Sequence, residues 1–191
     1  MSEVYDQAGK GLWFLFLSAI LSLAAAIVGF IPLLGDLVGL VLMVAAFALN
    51  ILGPYVARDS HPFFRYAFYA SIAAAVLDVL GEVVPDEGLL SGLVNLAASL
   101  AGLALVYFIC TAAGDLLREK GDETLANRAD LLWKLQAGCT VVVFASLLVA
   151  WIPVLNVLAA LAALVVAIVA IVVGIMQVIF YYNAAGSLRG R

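Results

Sequence analysis

The chain has 191 residues, of which 66% are hydrophobic and 12% are charged, and its formal net charge is −4. Soluble domains hold roughly 45–50% apolar and about 25% charged residues. A soluble fold of this length has too little interior to bury so much apolar surface. The composition therefore predicts a protein whose solvent is partly lipid.

Six apolar runs are each long enough to cross a hydrocarbon core of ~30 Å at a rise of ~1.5 Å per residue. In chain order the predicted spans are Leu12–Ile31, Leu37–Val56, Tyr66–Val84, Leu89–Cys110, Leu132–Ile152 and Leu155–Ile179. Short turns at Pro32, Pro85 and Pro153 join them in pairs, because proline stops one helix and fits the first turn of the next. The sequence predicts an all-α integral membrane protein of six transmembrane helices. It forms one domain, 1–191, of three helical hairpins at about 12–56, 66–110 and 132–179.

The three hairpins share a spacing that suggests an internal repeat. An aromatic residue stands 19 or 20 positions before each turn proline, and these residues are Trp13, Tyr66 and Trp133. That spacing equals one membrane crossing, with the aromatic ring at the level of the headgroups. We predict a threefold hairpin repeat. The alternative is that any membrane helix with an interfacial aromatic and a proline stop would show this spacing.

The plan of three helical hairpins in about 190 residues resembles the HdeD-type acid-resistance membrane proteins and other small six-helix bacterial membrane proteins. The resemblance rests on helix count, on length and on the turn positions Pro32, Pro85 and Pro153. It implies a fold only. No residue-level motif accompanies it, so no activity or site is implied.

All Lys and Arg residues lie at one end of the predicted hairpins, which we call the basic end. They are Lys10, Arg58, Arg65, Arg118, Lys120, Arg128, Lys134, Arg189 and Arg191. Because Lys and Arg mark cytoplasmic loops, we expect both termini and the loops at 57–65 and 114–131 to face the cytoplasm of a multi-pass cell (inner or plasma) membrane protein. Eight of the 13 acids share this end. Its near-neutral balance argues against a nucleic-acid partner.

The loop at 114–131 is predicted to be mostly helical. Asp115–Lys120 can prolong the fourth span, Gly121 suits a helix C-terminus, and Asp122 can begin a helix that runs into the fifth span. One interpretation is a solvated helix extension. The alternative is a docking face for a cytosolic partner.

Two carboxylates lie inside the apolar stretch of the third span. Asp78 and Glu82 are one helical turn apart on one face. In the fourth span Ser91, Asn95 and Ser99 form a polar stripe with a spacing of four residues. Since the two spans form a hairpin, we expect Glu82 to face Ser91 and Asp78 to face Asn95.

An unpaired charge at this depth costs several kcal/mol, and no basic residue lies near. The two acids are therefore protonated, hydrated or bound to a cation. A protonated Asp78 hydrogen-bonded to Asn95 would serve only to join two helices. If the acids are hydrated or bound to a cation, they form a candidate intramembrane polar or ion site with the stripe of the fourth span. Its residues are Asp78, Glu82, Ser91, Asn95 and Ser99. Asp36, Asp86 and Glu87 complete the acids of the outer face, either as helix caps or as a group that attracts cations.

Small residues recur at helix-packing spacing in three spans. They are Ser18 and Ser22, then Gly35 and Gly39, then Ala97, Ala101 and Gly102. Such patterns let helix backbones approach closely. We interpret them as packing faces, within the bundle or towards a second copy or a membrane-protein partner.

Motifs for familiar catalytic chemistries are missing from the sequence. It has no HExxH, GxSxG or nucleotide-binding glycine motif, one histidine (His61, in a predicted loop), and two cysteines, Cys110 and Cys139, that form no CxxC pair. We therefore expect no enzymatic activity, no cofactor and no bound metal.

The sequence favours a non-enzymatic structural, accessory or assembly protein of the cell membrane. The alternative is a small channel or permease for protons, cations or a small cationic solute that uses Asp78 and Glu82. Prolines at turns or helix ends, rather than in mid-span, favour the first interpretation. The unpaired carboxylates favour the second.

Overall fold

A computed structural model describes residues 2–29, 35–84, 89–149 and 156–190, and within these ranges the chain forms helices and no strands. The helices are α1 (Ser2–Val28), α2 (Gly35–Ala57), α3 (Pro62–Val83), α4 (Leu89–Glu119), α5 (Glu123–Val149) and α6 (Asn156–Leu188). The prediction of an all-helical chain is confirmed for these residues. The turns predicted around Pro32, Pro85 and Pro153 lie outside them.

Five helices of the described chain, α1, α2, α3, α4 and α6, are long and apolar enough to cross a membrane. α5 has 27 residues, but its first half carries charged residues that include Asp130 and Lys134. Residues 150–152 of the predicted fifth span lie outside the described part. The helices fit an α-helical membrane protein, as the composition predicts.

Burial follows the pattern expected of a protein in lipid. Large apolar side chains are exposed along the helices, with exposed fractions of 69% at Leu37 and 76% at Val83. The buried apolar residues include many alanines, among them Ala8, Ala112 and Ala184. In water such an exposed apolar surface would cause association. In a bilayer it is the surface that meets acyl chains.

Four helices extend well beyond their predicted spans at the basic end. α1 begins at Ser2, α4 continues to Glu119, α5 begins at Glu123 and α6 continues to Leu188. The extension of α1 carries an Asp6–Lys10 ion pair one helical turn apart, at 2.6 Å. Hydropathy detects only the apolar part of a helix. A span predicted from hydropathy therefore stops before the helix itself ends.

The connection between α4 and α5 confirms the prediction of a mostly helical loop. Only residues 120–122 are non-helical, and Gly121 has φ +86°, a conformation that favours glycine. The Asp122 carboxylate accepts a hydrogen bond from the Leu125 N–H at 3.2 Å and so caps α5. Arg118 of α4 pairs with Asp130 of α5 across this connection at 2.5 Å.

The six helices form a closed ring in chain order. Each helix packs against the next, and α6 packs against α1. The most extensive contacts are within the pairs α1–α2 and α3–α4. Aromatic contacts join neighbours near the basic end, such as Tyr55 of α2 with Phe68 of α3, at 5.4 Å between ring centroids.

α1 and α2 meet along a line of small residues that we call the α1–α2 seam. A Cβ atom at Gly11 would lie 2.5 Å from the Gly53 carbonyl oxygen, so the two backbones touch there. The buried Ser18 hydroxyl donates a hydrogen bond to the Ala46 carbonyl at 2.7 Å. The third pair is Ala25 and Gly39.

The register of the seam is regular. Its positions are 11, 18 and 25 in α1 and 53, 46 and 39 in α2, which is a heptad step in antiparallel helices. A heptad step is the period that keeps the same kind of residue in the contact between two helices that pack side by side. In lipid the hydrophobic effect does not drive helices together, so their association depends on close packing. Small residues allow the two backbones to come close enough for such packing.

The end of α6 is held by its neighbours at the basic end. A Cβ at Gly9 would lie 3.1 Å from the Ala185 carbonyl oxygen, so α1 and α6 also approach closely. The Lys120 ammonium donates to the carbonyls of Ser187 and Leu188 at the C-terminus of α6. The Ser187 carbonyl also accepts the Gly190 N–H, at 3.2 Å. The Ser187 hydroxyl donates to Asp122 at 2.9 Å. The ring is therefore tightly closed at this end.

We expect Gly11→Ala to lower the free energy of unfolding by about 1–3 kcal/mol, the usual cost of overpacking. Its new methyl group would lie 2.5 Å from the Gly53 carbonyl oxygen and 2.7 Å from the Ala57 Cβ. Gly39→Ala on the same seam is the matched control, since its nearest neighbour would be 3.8 Å away. The control should be neutral or stabilising by up to about 1 kcal/mol, the difference in helix propensity.

Unfolding by SDS titration in mixed micelles measures both variants. Equal effects of the two substitutions would contradict the assigned register of the α1–α2 seam.

Candidate functional site

A cavity of about 950 Å³ lies between the helices of the bundle. Side chains of α1, α4, α5 and α6 form its walls, and Asn50 reaches it from α2. Its volume lies in the range of small-molecule sites, ~300–1,000 Å³, and its walls are mostly apolar, as those of such sites are. We call it the central cavity.

One part of the central cavity adjoins the tightly packed basic end. Leu15, Ile109 and Tyr181 line it there and are themselves buried. Towards the outer end its walls include Leu23, Val143 and Ile171, which are exposed. The helices thus pack tightly at the basic end, and farther from it a space remains between α1, α4, α5 and α6.

Most polar groups of the cavity wall are hydrogen-bonded within the protein. The Thr140 hydroxyl donates to the Gln136 carbonyl at 2.9 Å. The Gln177 amide donates to the Tyr181 hydroxyl at 2.6 Å. The Ser18 hydroxyl is used in the α1–α2 seam. These side chains already have hydrogen-bond partners within the protein, so they make the wall more polar without requiring a bound ligand.

The side-chain amides of Asn50 and Gln136 are different. Both residues line the cavity, and neither amide makes a hydrogen bond to another residue of the described chain. Each carboxamide offers two N–H donors and one carbonyl acceptor. These amides, together with the Ser22 hydroxyl, are polar groups of the wall that are free to bind the polar part of a ligand.

The helix backbone at Asn50 departs from the regular hydrogen-bond pattern. Pro54 lies inside α2, four residues after Asn50, and has no N–H to donate to the Asn50 carbonyl. That carbonyl therefore lacks its regular helical partner. In membrane helices such a carbonyl is commonly satisfied by a neighbouring side chain, an ordered water or a ligand.

None of the described residues that line the central cavity carries a formal charge. Moving an ion into a mostly apolar cavity without a counter-charge is costly. The cavity is therefore suited to an uncharged molecule.

Asp78 lies elsewhere, in the outer part of α3. The buried residues Phe64, Ala67, Ser71 and Ala75 mark the face of α3 that packs inwards, and Asp78 is the next position on that line. The Asp78 side chain itself is exposed, and it is not among the residues that line the central cavity. Asp78 therefore lies on the inward-packing face of α3, at a level where the bundle no longer buries that face.

The polar stripe of α4 is divided by the structure. The Asn95 side-chain oxygen lies 3.7 Å from the position of a Cβ at Gly81, so Asn95 faces α3 near the predicted acids. The Ser99 hydroxyl donates to the Asn95 carbonyl at 2.9 Å, and Ser99 lines the central cavity. Ser91 is half-buried.

The remaining predicted acids lie at or beyond the limits of the described residues. Glu82 and Asp36 lie within α3 and α2, but their side chains are outside the described part, as are Asp86 and Glu87 altogether. Whether Asp78 and Glu82 form an ion site with the α4 stripe stays a prediction.

The small-residue faces predicted from sequence have several places in the structure. Ser18 and Gly39 belong to the α1–α2 seam, within the chain. Gly102 lines the central cavity, and no atom lies within 4 Å of a Cβ built there. Assembly with a second copy or a membrane partner stays a prediction.

Sequence reasoning missed the amides Asn50, Gln136 and Gln177. Asn50 and Gln177 are isolated polar side chains in apolar segments. Gln136 lies four residues before Thr140, and this pair was too short a pattern to indicate a site. One signal was present for Asn50, because Pro54 follows it by four residues. Among the described residues no group of three or more His, Cys, Asp or Glu side chains is placed to hold a metal ion.

No protein-family model, curated protein or solved structure matches this chain. The likeness to HdeD-type proteins therefore remains one of helix count and length.

Proposed function

We propose that the chain is a non-enzymatic accessory protein of a cell membrane that holds an uncharged, largely apolar molecule in its central cavity. The observation that carries the proposal is the cavity of about 950 Å³, mostly apolar and without formal charge among its described lining residues. A molecule that partitions into the bilayer is already at the depth of this cavity.

The free amides define the polar part of the ligand. Asn50 and Gln136 supply donors and acceptors on two walls, and the carbonyl freed by Pro54 supplies one more acceptor. A hydroxyl, carbonyl or ester group satisfies such a set without a charge. A neutral lipid or a long-chain alcohol has this combination of one polar group and an apolar chain.

The membrane orientation belongs to the same proposal. The Asp6–Arg189 ion pair, at 3.7 Å, supports both termini on one side of the membrane. We propose that this side is the cytoplasm, because it holds every Lys and Arg.

Two glycines allow the cavity to be filled without a clash. Gly102 and Gly174 both line it, and a Cβ at either position has no atom within 4 Å. We expect Gly102→Leu and Gly174→Leu each to lower the affinity for a radiolabelled long-chain alcohol by about tenfold or more, which is about 1.4 kcal/mol. Equilibrium binding to the protein in nanodiscs measures this.

Gly138→Leu is the matched control. Gly138 is also a helical glycine with no atom within 4 Å of a Cβ, and it does not line the cavity. It should bind the alcohol as the unaltered protein does. Equal affinity in all three variants would refute the proposal.

Replacing both free amides tests the polar contact separately. Asn50→Leu/Gln136→Leu should weaken binding of the alcohol by a few-fold to about tenfold per lost hydrogen bond, from about 0.5–1.5 kcal/mol each. Binding of the alkane of the same length should not weaken, because it makes no hydrogen bond. Parallel losses for alcohol and alkane would show that the amides serve packing alone.

A second candidate function, a path for protons or other cations, is favoured by the position of Asp78. Asp78 continues the inward line of α3, no basic side chain of the described chain pairs with it, and Asn95 of α4 faces α3 one turn further along. An exposed carboxylate at this position would be hydrated or would hold a cation.

Flux in proteoliposomes tests this candidate. If it is correct, Asp78→Asn and Glu82→Gln should each reduce proton or monovalent-cation flux at least about tenfold, because each removes a charge that the cation requires. Asp59→Asn, which neutralises an acid at the basic end, should leave flux unchanged. Equal, negligible flux in all four proteins would eliminate this function.

A further inference from the structure

We infer that the connection between α2 and α3 binds the phosphate of an anionic phospholipid. A cavity of about 200 Å³ lies there, lined by Arg58, Asp59, Ser60, His61, Arg65 and Tyr66, together with the ring of Pro62. It is separate from the central cavity and does not depend on the proposed function. We call it the arginine pocket.

The two guanidinium groups of the arginine pocket have donors to spare. Arg58 lies over the Tyr55 ring at 4.2 Å from its centroid, and its one ion pair, with Asp59, is long at 3.4 Å and solvent-exposed. An exposed pair of this kind is weak. Arg65 is exposed and makes no ion pair or hydrogen bond within the described chain. Each guanidinium has five N–H donors, and its planar fork fits two phosphate oxygens.

The other polar groups of the pocket are mostly occupied. The Ser60 hydroxyl donates to the Ala57 carbonyl at 2.5 Å. His61 accepts the Phe63 N–H through Nδ1, and its Nε2 lies 3.7 Å from Asp115. The first N–H groups of α3 are thus used by His61, so the N-terminus of that helix is not the anion site. Two arginines opposite one aspartate leave a net positive charge.

The position of the pocket identifies the source of the phosphate. It lies between the end of one candidate span, at Ala57, and the start of the next, at Pro62. Tyr55, Tyr66 and Tyr69 are exposed around it, and tyrosines of this kind mark the headgroup level of a bilayer. Basic pockets between membrane helices at this level are suited to anionic lipid headgroups. Exposed Ile72 and Val76 farther along α3 provide a surface for the acyl chains.

Native mass spectrometry from nanodiscs of mixed phosphatidylglycerol and phosphatidylcholine tests the inference. We expect the protein to retain phosphatidylglycerol at least about tenfold over phosphatidylcholine, through charge-assisted hydrogen bonds. Arg58→Ala/Arg65→Ala should abolish this preference. Arg58→Lys/Arg65→Lys keeps both charges but loses the forked geometry, and it should retain only part of the preference.

Arg128→Ala/Lys134→Ala is the matched control, because it removes two exposed positive charges from the same end of the protein outside the pocket. It should keep the full preference. Equal loss in this control and in the pocket variant would overturn the inference, since it would show attraction by overall charge. Binding of inorganic phosphate as strong as that of the phospholipid would overturn the assignment to lipid.

Discussion

Close contact between helix backbones is the constraint on which the rest of this structure depends. In lipid the hydrophobic effect does not drive helices together, so packing and interhelical hydrogen bonds must do so. In the α1–α2 seam the contact of Gly11 with Gly53 and the hydrogen bond from Ser18 to Ala46 meet this need. Gly9 approaches α6 in a similar way, and a Cβ added at Gly114 would lie 3.5 Å from the Ala129 Cβ of α5. A larger side chain at the tightest of these positions would push two helices apart.

The same packing accounts for the central cavity. The close approaches of α1 to α6 and of α4 to α5 lie at the basic end, where Lys120 and Asp122 also hold the last turn of α6. Farther along the helices, glycines such as Gly102 and Gly174 face open space rather than a neighbouring backbone. A ring closed at one end and less tightly packed beyond it leaves a space bounded by its own helices. The nature of that space, apolar with two free amides, follows from the few polar side chains that these helices carry.

The number and approximate positions of the helices can be predicted from the sequence, because membrane helices are apolar over a length that the bilayer thickness sets. The extensions of α4 and α6 are not detected by hydropathy. The charged side chains at the end of α4 have tertiary partners, Asp130 for Arg118 and the Ser187 carbonyl for Lys120. The site is less predictable. Asp78 attracts notice from sequence because a carboxylate in an apolar span is unusual. Asn50 and Gln136 become significant only when the fold brings α2 and α5 to one cavity, because the sequence does not show which helices meet there.

The reactivity of the two native cysteines tests most directly that a cavity adjoins the tightly packed end of the ring. Cys139 lines the central cavity, whereas Cys110 is buried in the packed core. In the folded protein N-ethylmaleimide should modify Cys139, and Gly174→Leu should slow that reaction by filling the cavity. Cys110 should react only after unfolding. Modification of both cysteines at one rate, or a Cys139 rate unchanged by Gly174→Leu, would contradict this account.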